Sequence, residues 1–127
     1  MFDYFANPTR FVRIADALLW PLVVVASGLL MAGLYYGLIA SPADYQQGDT
    51  VRIMYVHVPA AWLATLGYVA MGICALFYIV WRHPLADVAQ RPMGPVGAVF
   101  AMLTLVTGSL WGKPMWGAWW VWDARLT

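Results

Sequence analysis

Three stretches of this chain carry no Asp, Lys or Arg for long enough to cross a lipid bilayer: Ala17–Ala43, Ile53–Trp81 and Pro92–Gly112. A helix rises 1.5 Å per residue, so the hydrocarbon core takes about 20 residues to traverse. Backbone groups in lipid must bond within their own segment, which leaves helices or a closed barrel. The two-residue alternation of a membrane strand is missing from runs such as Leu22-Val23-Val24-Val25-Ala26. The sequence therefore predicts an all-α integral membrane protein, a single membrane domain over 1–127 with spans near 18–40, 60–81 and 93–111. Composition agrees: 63% of residues are hydrophobic and 10% charged, against about 25% charged in soluble domains. A net charge of +1 offers nothing to a polyanion, so no nucleic-acid partner is expected. The lone Cys74 excludes a disulfide framework, a CxxC pair and a CxxCH haem-attachment motif.

The first apolar run is longer than a signal-peptide core and no small-residue cleavage site follows it, so it reads as a retained helix. Pro21, Pro59 and Pro95 are expected in the opening turns of the three spans, where a missing N–H is tolerated. Gly28/Ala32 and Gly94/Ala98 are candidate points of close helix contact. Arg10, Arg13, Arg82 and Arg91 lie on one side of the membrane, while Arg52, Lys113 and Arg125 lie on the other. Four positive residues against three predict a cytoplasmic amino terminus, which puts loop 41–59 and segment 112–127 together on the outer side.

Two features on that side carry chemistry. The first is His57, in Tyr55-Val56-His57-Val58-Pro59. A residue before proline favours extended geometry, so Val58 is expected outside a helix and His57 at the membrane surface, just ahead of a helix start. Its imidazole either makes an interfacial hydrogen bond or ligates a metal such as haem iron. His83, between Arg82 and Pro84, reads as a loop residue on the inner side. The second feature is Trp111-Gly112-Lys113-Pro114-Met115-Trp116-Gly117-Ala118-Trp119-Trp120-Val121-Trp122-Asp123, with five tryptophans in thirteen residues. Indoles favour the headgroup level, and an aromatic belt would use them there. If Pro114 opens a short interfacial helix over 114–123, then Trp116, Trp119, Trp120 and Asp123 share one face, with Trp122 at its margin. Such a face suits a flat polyaromatic ligand with polar edges. Belt and platform stay level on these grounds.

The run WGKPMWGAWWVWDARLT resembles the tryptophan-rich motif of haem-handling membrane proteins. With residues 42–62, PADYQQGDTVRIMYVHVPAAW, and residues 106–127, the chain resembles the haem exporter protein C family of bacterial cytochrome c maturation. That resemblance implies a transfer protein and not an enzyme. It implies haem b as the transported ligand, held at the outer face of the inner membrane. Trp116, Trp119, Trp120, Trp122 and Asp123 stand at the positions of the platform, and His57 at that of the first of two axial histidines. The implied partners are a periplasmic haem chaperone, ATP-driven (ABC-type) transporter subunits and a small membrane subunit. The family has about six spans and a second axial histidine in a later outer loop. A chain ending at Thr127 is therefore expected to be the amino-terminal part of the family's cytochrome c assembly domain. Two other readings stand beside it: a quinone- or haem-bearing anchor subunit of an oxidoreductase, and an assembly subunit whose tryptophans only anchor it.

Overall fold

A computed structural model describes residues 7–122. Helix α1 runs Pro8–Leu34 and winds on into a π-helical turn over Tyr35–Ala40; α2 spans Val51–Trp81 and α3 spans Pro84–Trp116. The three helical stretches, Thr9–Ala40, Val51–Trp81 and Pro84–Trp116, are long and apolar enough to cross a membrane. Among the described residues the remaining regular pairing is one isolated bridge between Asp44 and Gly48. The all-helical, three-span expectation therefore holds.

The helices begin earlier than the charge-free runs suggest. Asn7 caps α1, its side-chain oxygen accepting from the N–H groups of Thr9 at 3.0 Å and Arg10 at 3.4 Å, and Pro8 follows where no N–H is needed. At the start of α3, Pro84 plays the same part, and Asp87 and Arg91, one turn apart, pair at 2.9 Å. Charged residues thus ride on helical turns that extend beyond the apolar stretch. At 1.5 Å per residue, a 31-residue α2 is about 46 Å long, well past a hydrocarbon core of about 30 Å.

This lengthening corrects the role expected of the prolines. Pro21, Pro59 and Pro95 lie inside their helices, as do Pro92 and Pro114. Each removes one backbone bond without ending the helix, which membrane helices tolerate where neighbours re-satisfy the freed carbonyl. Val58 is therefore helical, and His57 sits within the second turn of α2 rather than ahead of its start.

The core is a seam between antiparallel α2 and α3, which only Arg82 and His83 separate. Ala60 and Ala64 of α2 and Ala86, Gly97 and Gly112 of α3 are buried. Along α2 the half-buried or buried positions 57, 60, 64, 67, 71, 74 and 78 alternate spacings of three and four, and so do 86, 90, 93, 97, 100, 104, 107 and 111 on α3. That heptad-like spacing keeps one stripe of each helix on its partner. The most deeply buried positions of the stripe, Ala60, Ala64, Ala86 and Gly97, are small because lipid is as apolar as leucine. Close packing, and not exclusion from water, holds such helices together. At the centre the two backbones meet: a Cβ on Gly67 would lie 3.6 Å from the Gly97 Cα. The contact uses this pair and not Gly28, which has open space around it.

Helix α1 is exposed at every described side chain up to Tyr36. It meets the pair through its π-helical end, where Gly37 lies so close to Tyr55 that a Cβ would stand 3.1 Å from the tyrosine Cβ. Arg52 ties the same end down, donating to the carbonyls of Leu38 at 2.9 Å and Ser41 at 3.2 Å while pairing with Asp49 at 3.3 Å.

Gly67→Leu is expected to destabilise the helix pair by about 1–3 kcal/mol through overpacking, whereas Gly67→Ala is close to neutral. Denaturant titration of the protein in micelles, followed by tryptophan fluorescence, measures both.

Candidate functional site

The α2–α3 seam carries His57 to the end of the bundle at which α3 finishes. The His57 Nδ1 lies 3.0 Å from the Thr107 hydroxyl of α3. Gly108 makes the room for this ring, since a Cβ there would stand 3.0 Å from its Cε1. Loop 41–50 closes over the same end. Asp44 Oδ1 accepts from the N–H groups of Gln46 at 2.9 Å and Gln47 at 2.8 Å. Gly48, at φ 59°, lets the chain turn back. The stiffened Gln47 then accepts a 2.8 Å hydrogen bond from the Trp111 indole across 64 positions of sequence. Loop 41–50 and the tryptophan-rich segment therefore share one end of the molecule. His83 lies at the other, as residue before the first turn of α3.

The tryptophan segment is not a separate helix, which corrects the expectation for 114–123. Helix α3 passes through Pro114 and ends at Trp116, where Gly117 takes φ 77° and donates to the Lys113 carbonyl at 3.0 Å. A left-handed glycine just past the last turn is a strong helix stop, and here it outweighs the start signal of the proline. Lys113 reinforces the stop by donating to the Gly117 carbonyl at 3.0 Å. Residues 117–122 are irregular, so the shared helical face of Trp116, Trp119 and Trp120 does not form. Instead the chain doubles back over Gly112: a Cβ there would meet the Trp116 ring at 3.4 Å and the Ala118 carbonyl at 3.5 Å. Asp123 lies outside the described residues.

The reversal brings the indoles together by another route. A cavity of about 330 Å³ is lined by His57, Trp111, Trp116, Trp119 and Trp120, with Thr104, Gly108 and Ser109 along its α3 wall. That is at the small end of the range for ligand pockets. A more open groove of about 540 Å³ shares Trp119 and Trp120 with it and adds Trp122. The rings brace one another edge to face, Trp111 on Trp116 at 5.1 Å and Trp120 on Trp122 at 5.7 Å. The Lys113 ammonium sits 5.8 Å from the Trp119 ring centre. Among the described residues, the buried Trp120 indole N–H at this cavity has no hydrogen-bond partner. Among the described residues no three His, Cys, Asp or Glu side chains gather to hold a bare metal ion.

Of the residues singled out from sequence, His57, Trp116, Trp119 and Trp120 share one cavity, and Trp122 lines the groove beside it. Sequence reasoning missed Gln47, Thr107 and Gly108. Nothing in their local pattern sets them apart; each matters through a contact at least 50 positions away in sequence.

Fold and cavity together define a multi-pass membrane protein with an aromatic, histidine-bearing site at one end of its helices. Comparison with known proteins is specific. The family profile of heme exporter protein C matches residues 1–127. The chain is 54% identical to heme exporter protein C of Bradyrhizobium diazoefficiens over 96% of its own length and 46% of the relative's. It is 47% identical to that of Escherichia coli K12, over 96% of the chain and 50% of the relative, and 42% identical to that of Paracoccus denitrificans, over 97% and 51%. The chain belongs to the heme exporter protein C family, and spans about half the length of the curated relatives it matches.

Gln47→Leu is expected to lower stability by about 1–3 kcal/mol by leaving the Trp111 N–H without its partner. Exchange of that indole proton, followed by NMR in micelles, should quicken, and loop 41–50 should become more sensitive to protease.

Proposed function

We propose that this chain takes part in haem handling for cytochrome c maturation, holding haem at the outer face of the inner membrane for a periplasmic acceptor. The observation that carries the reading is the meeting of His57 with Trp116, Trp119 and Trp120 in one cavity. A porphyrin offers a flat apolar face, an iron that accepts an imidazole nitrogen, and carboxylates that need donors. The indoles supply faces, His57 supplies an axial nitrogen, and the unpaired Trp120 N–H supplies a donor. A lone imidazole suits an iron whose equatorial positions a macrocycle already fills. The chain acts as a carrier and catalyses no bond-making step. Trp122, in the adjoining groove, extends the platform, and the family resemblance assigns Asp123 a part in it. The periplasmic haem chaperone, the ABC-type transporter subunits and a small membrane subunit are the partners this reading assigns, with haem b as the cargo.

Membership of a family whose curated members are named heme exporter protein C supports this reading over an oxidoreductase anchor. A haem clamped between two facing helices would need a ligand opposite His57, and the residues opposite it on α3 are Thr107 and Gly108.

Haem titration followed by absorbance tests the site. Replacing Trp116, Trp119 and Trp120 together with Phe should weaken haem binding by about tenfold or more. That corresponds to about 1.4 kcal/mol, within the range of about 1–3 kcal/mol for one aromatic stacking contact. His57→Ala should remove the nitrogen-ligand signature from the spectrum. Unchanged binding and spectrum in both variants would leave the tryptophans as a membrane belt. Orientation is tested separately, in a Cys74→Ala background. Cysteines replacing Asp49 and Lys113 should react with an impermeant thiol reagent from outside, and one replacing the exposed Val88 should react only after permeabilisation.

A further inference from the structure

We propose that Thr107 fixes the tautomer of His57, holding the ring proton on Nδ1 and leaving Nε2 as the unprotonated nitrogen. Among the described residues, the Thr107 hydroxyl has three hydrogen-bonding neighbours: the Leu103 carbonyl at 2.6 Å, the Thr104 carbonyl at 3.3 Å, and His57 Nδ1 at 3.0 Å. A hydroxyl has one proton to give and lone pairs to receive with. Two of the neighbours are carbonyls, which have no proton. An oxygen–oxygen approach of 2.6 Å requires a proton between the atoms, and the hydroxyl alone can supply it. Its proton is therefore committed to the carbonyl one turn back. The remaining contact is satisfied only if His57 Nδ1–H donates to the threonine oxygen. In a neutral imidazole the other nitrogen then carries a free lone pair.

Two features of the surroundings make this a built arrangement. The bond to the i−4 carbonyl pins the threonine side chain, which has few rotamers to begin with. Gly108, next to it, admits the ring at a distance no other residue would allow without displacement. A turn earlier Thr104 makes the same bond to its own i−4 carbonyl, at 2.8 Å to Phe100. Ring nitrogens that bind metals generally owe their tautomer to the partner of the opposite nitrogen, and loss of that partner costs about 10–100-fold in affinity. Thr107 is thus a positioning residue acting through His57. The tautomer assignment stands on geometry alone; its consequence for haem rests on the reading of His57 as a ligand given above.

The test uses the 127-residue chain in nanodiscs, histidine-labelled with ¹⁵N and free of haem, at a pH above the imidazole titration. His57→Ala separates its signals from those of His83. The protein and Thr107→Ser should both show a protonated Nδ1 and an unprotonated Nε2, while Thr107→Val should move the proton towards Nε2. A protonated Nε2 in the unsubstituted chain overturns the proposal, as does a Thr107→Val tautomer identical to that of the unsubstituted chain. Haem titration of the same samples should give about tenfold weaker binding or more for Thr107→Val, and about the original affinity for Thr107→Ser. If the tautomer shifts as stated while Thr107→Val and His57→Ala both leave haem affinity unchanged, the assignment of Thr107 holds and the ligand role of His57 is overturned.

Discussion

Close approach of α2 and α3 over small side chains governs where everything else in this molecule sits. Lipid gives helices no hydrophobic reason to associate, so the pair depends on backbones coming near enough for dispersion contacts to accumulate. Gly67 against Gly97, with Ala60, Ala64 and Ala86 along the same stripe, makes that approach possible. The same register carries His57 to Thr107 and Gly108 at the far end of the seam. A bulkier residue midway would therefore disturb a site several turns distant, by spreading the helices that bring its two halves together.

Around that seam the chain terminates its elements by local backbone chemistry. Arg82 at φ 51° ends α2, and Gly117 at φ 77° ends α3. The second of these also has a consequence for the site. Because α3 stops at Trp116, Trp119 and Trp120 are free to fold back towards the helix, and buried Gly112 gives space to the Trp116 ring and the Ala118 carbonyl at the reversal. Had the helix continued, the indoles would have followed its pitch. Lys113, donating to the Gly117 carbonyl and lying near the Trp119 ring, fastens the reversal at its base.

Loop 41–50 supplies the remaining wall anchor. Its shape comes from Asp44, which binds two successive backbone N–H groups, and from Gly48, which permits the left-handed turn. The Gln47–Trp111 bond then fixes loop against helix end, beside the cavity that Trp111 lines. Among the described residues, helix α1 contributes no side chain to this cavity. It joins the assembly through Gly37 and Arg52, leaving the rest of its length exposed.

The number and type of spans were legible in the sequence, because hydropathy over twenty residues is a property of a segment by itself. Composition and resemblance to a known family also singled out His57 and the tryptophan run, and the structure brings His57, Trp116, Trp119 and Trp120 to one cavity. Helix limits were less legible. Asn7-Pro8 is a readable cap once noticed, but prolines that would stop a soluble helix are absorbed inside these, and Gly117 outweighed Pro114 at the end of α3. What only the tertiary structure decided is which distant residues touch: Thr107 on His57, Gly108 beside its ring, Gln47 on Trp111. Hydropathy and turn preferences act over a few neighbouring positions and are written into local sequence. Contacts between helices depend on register along the seam, which the small residues set only when both helices are in place.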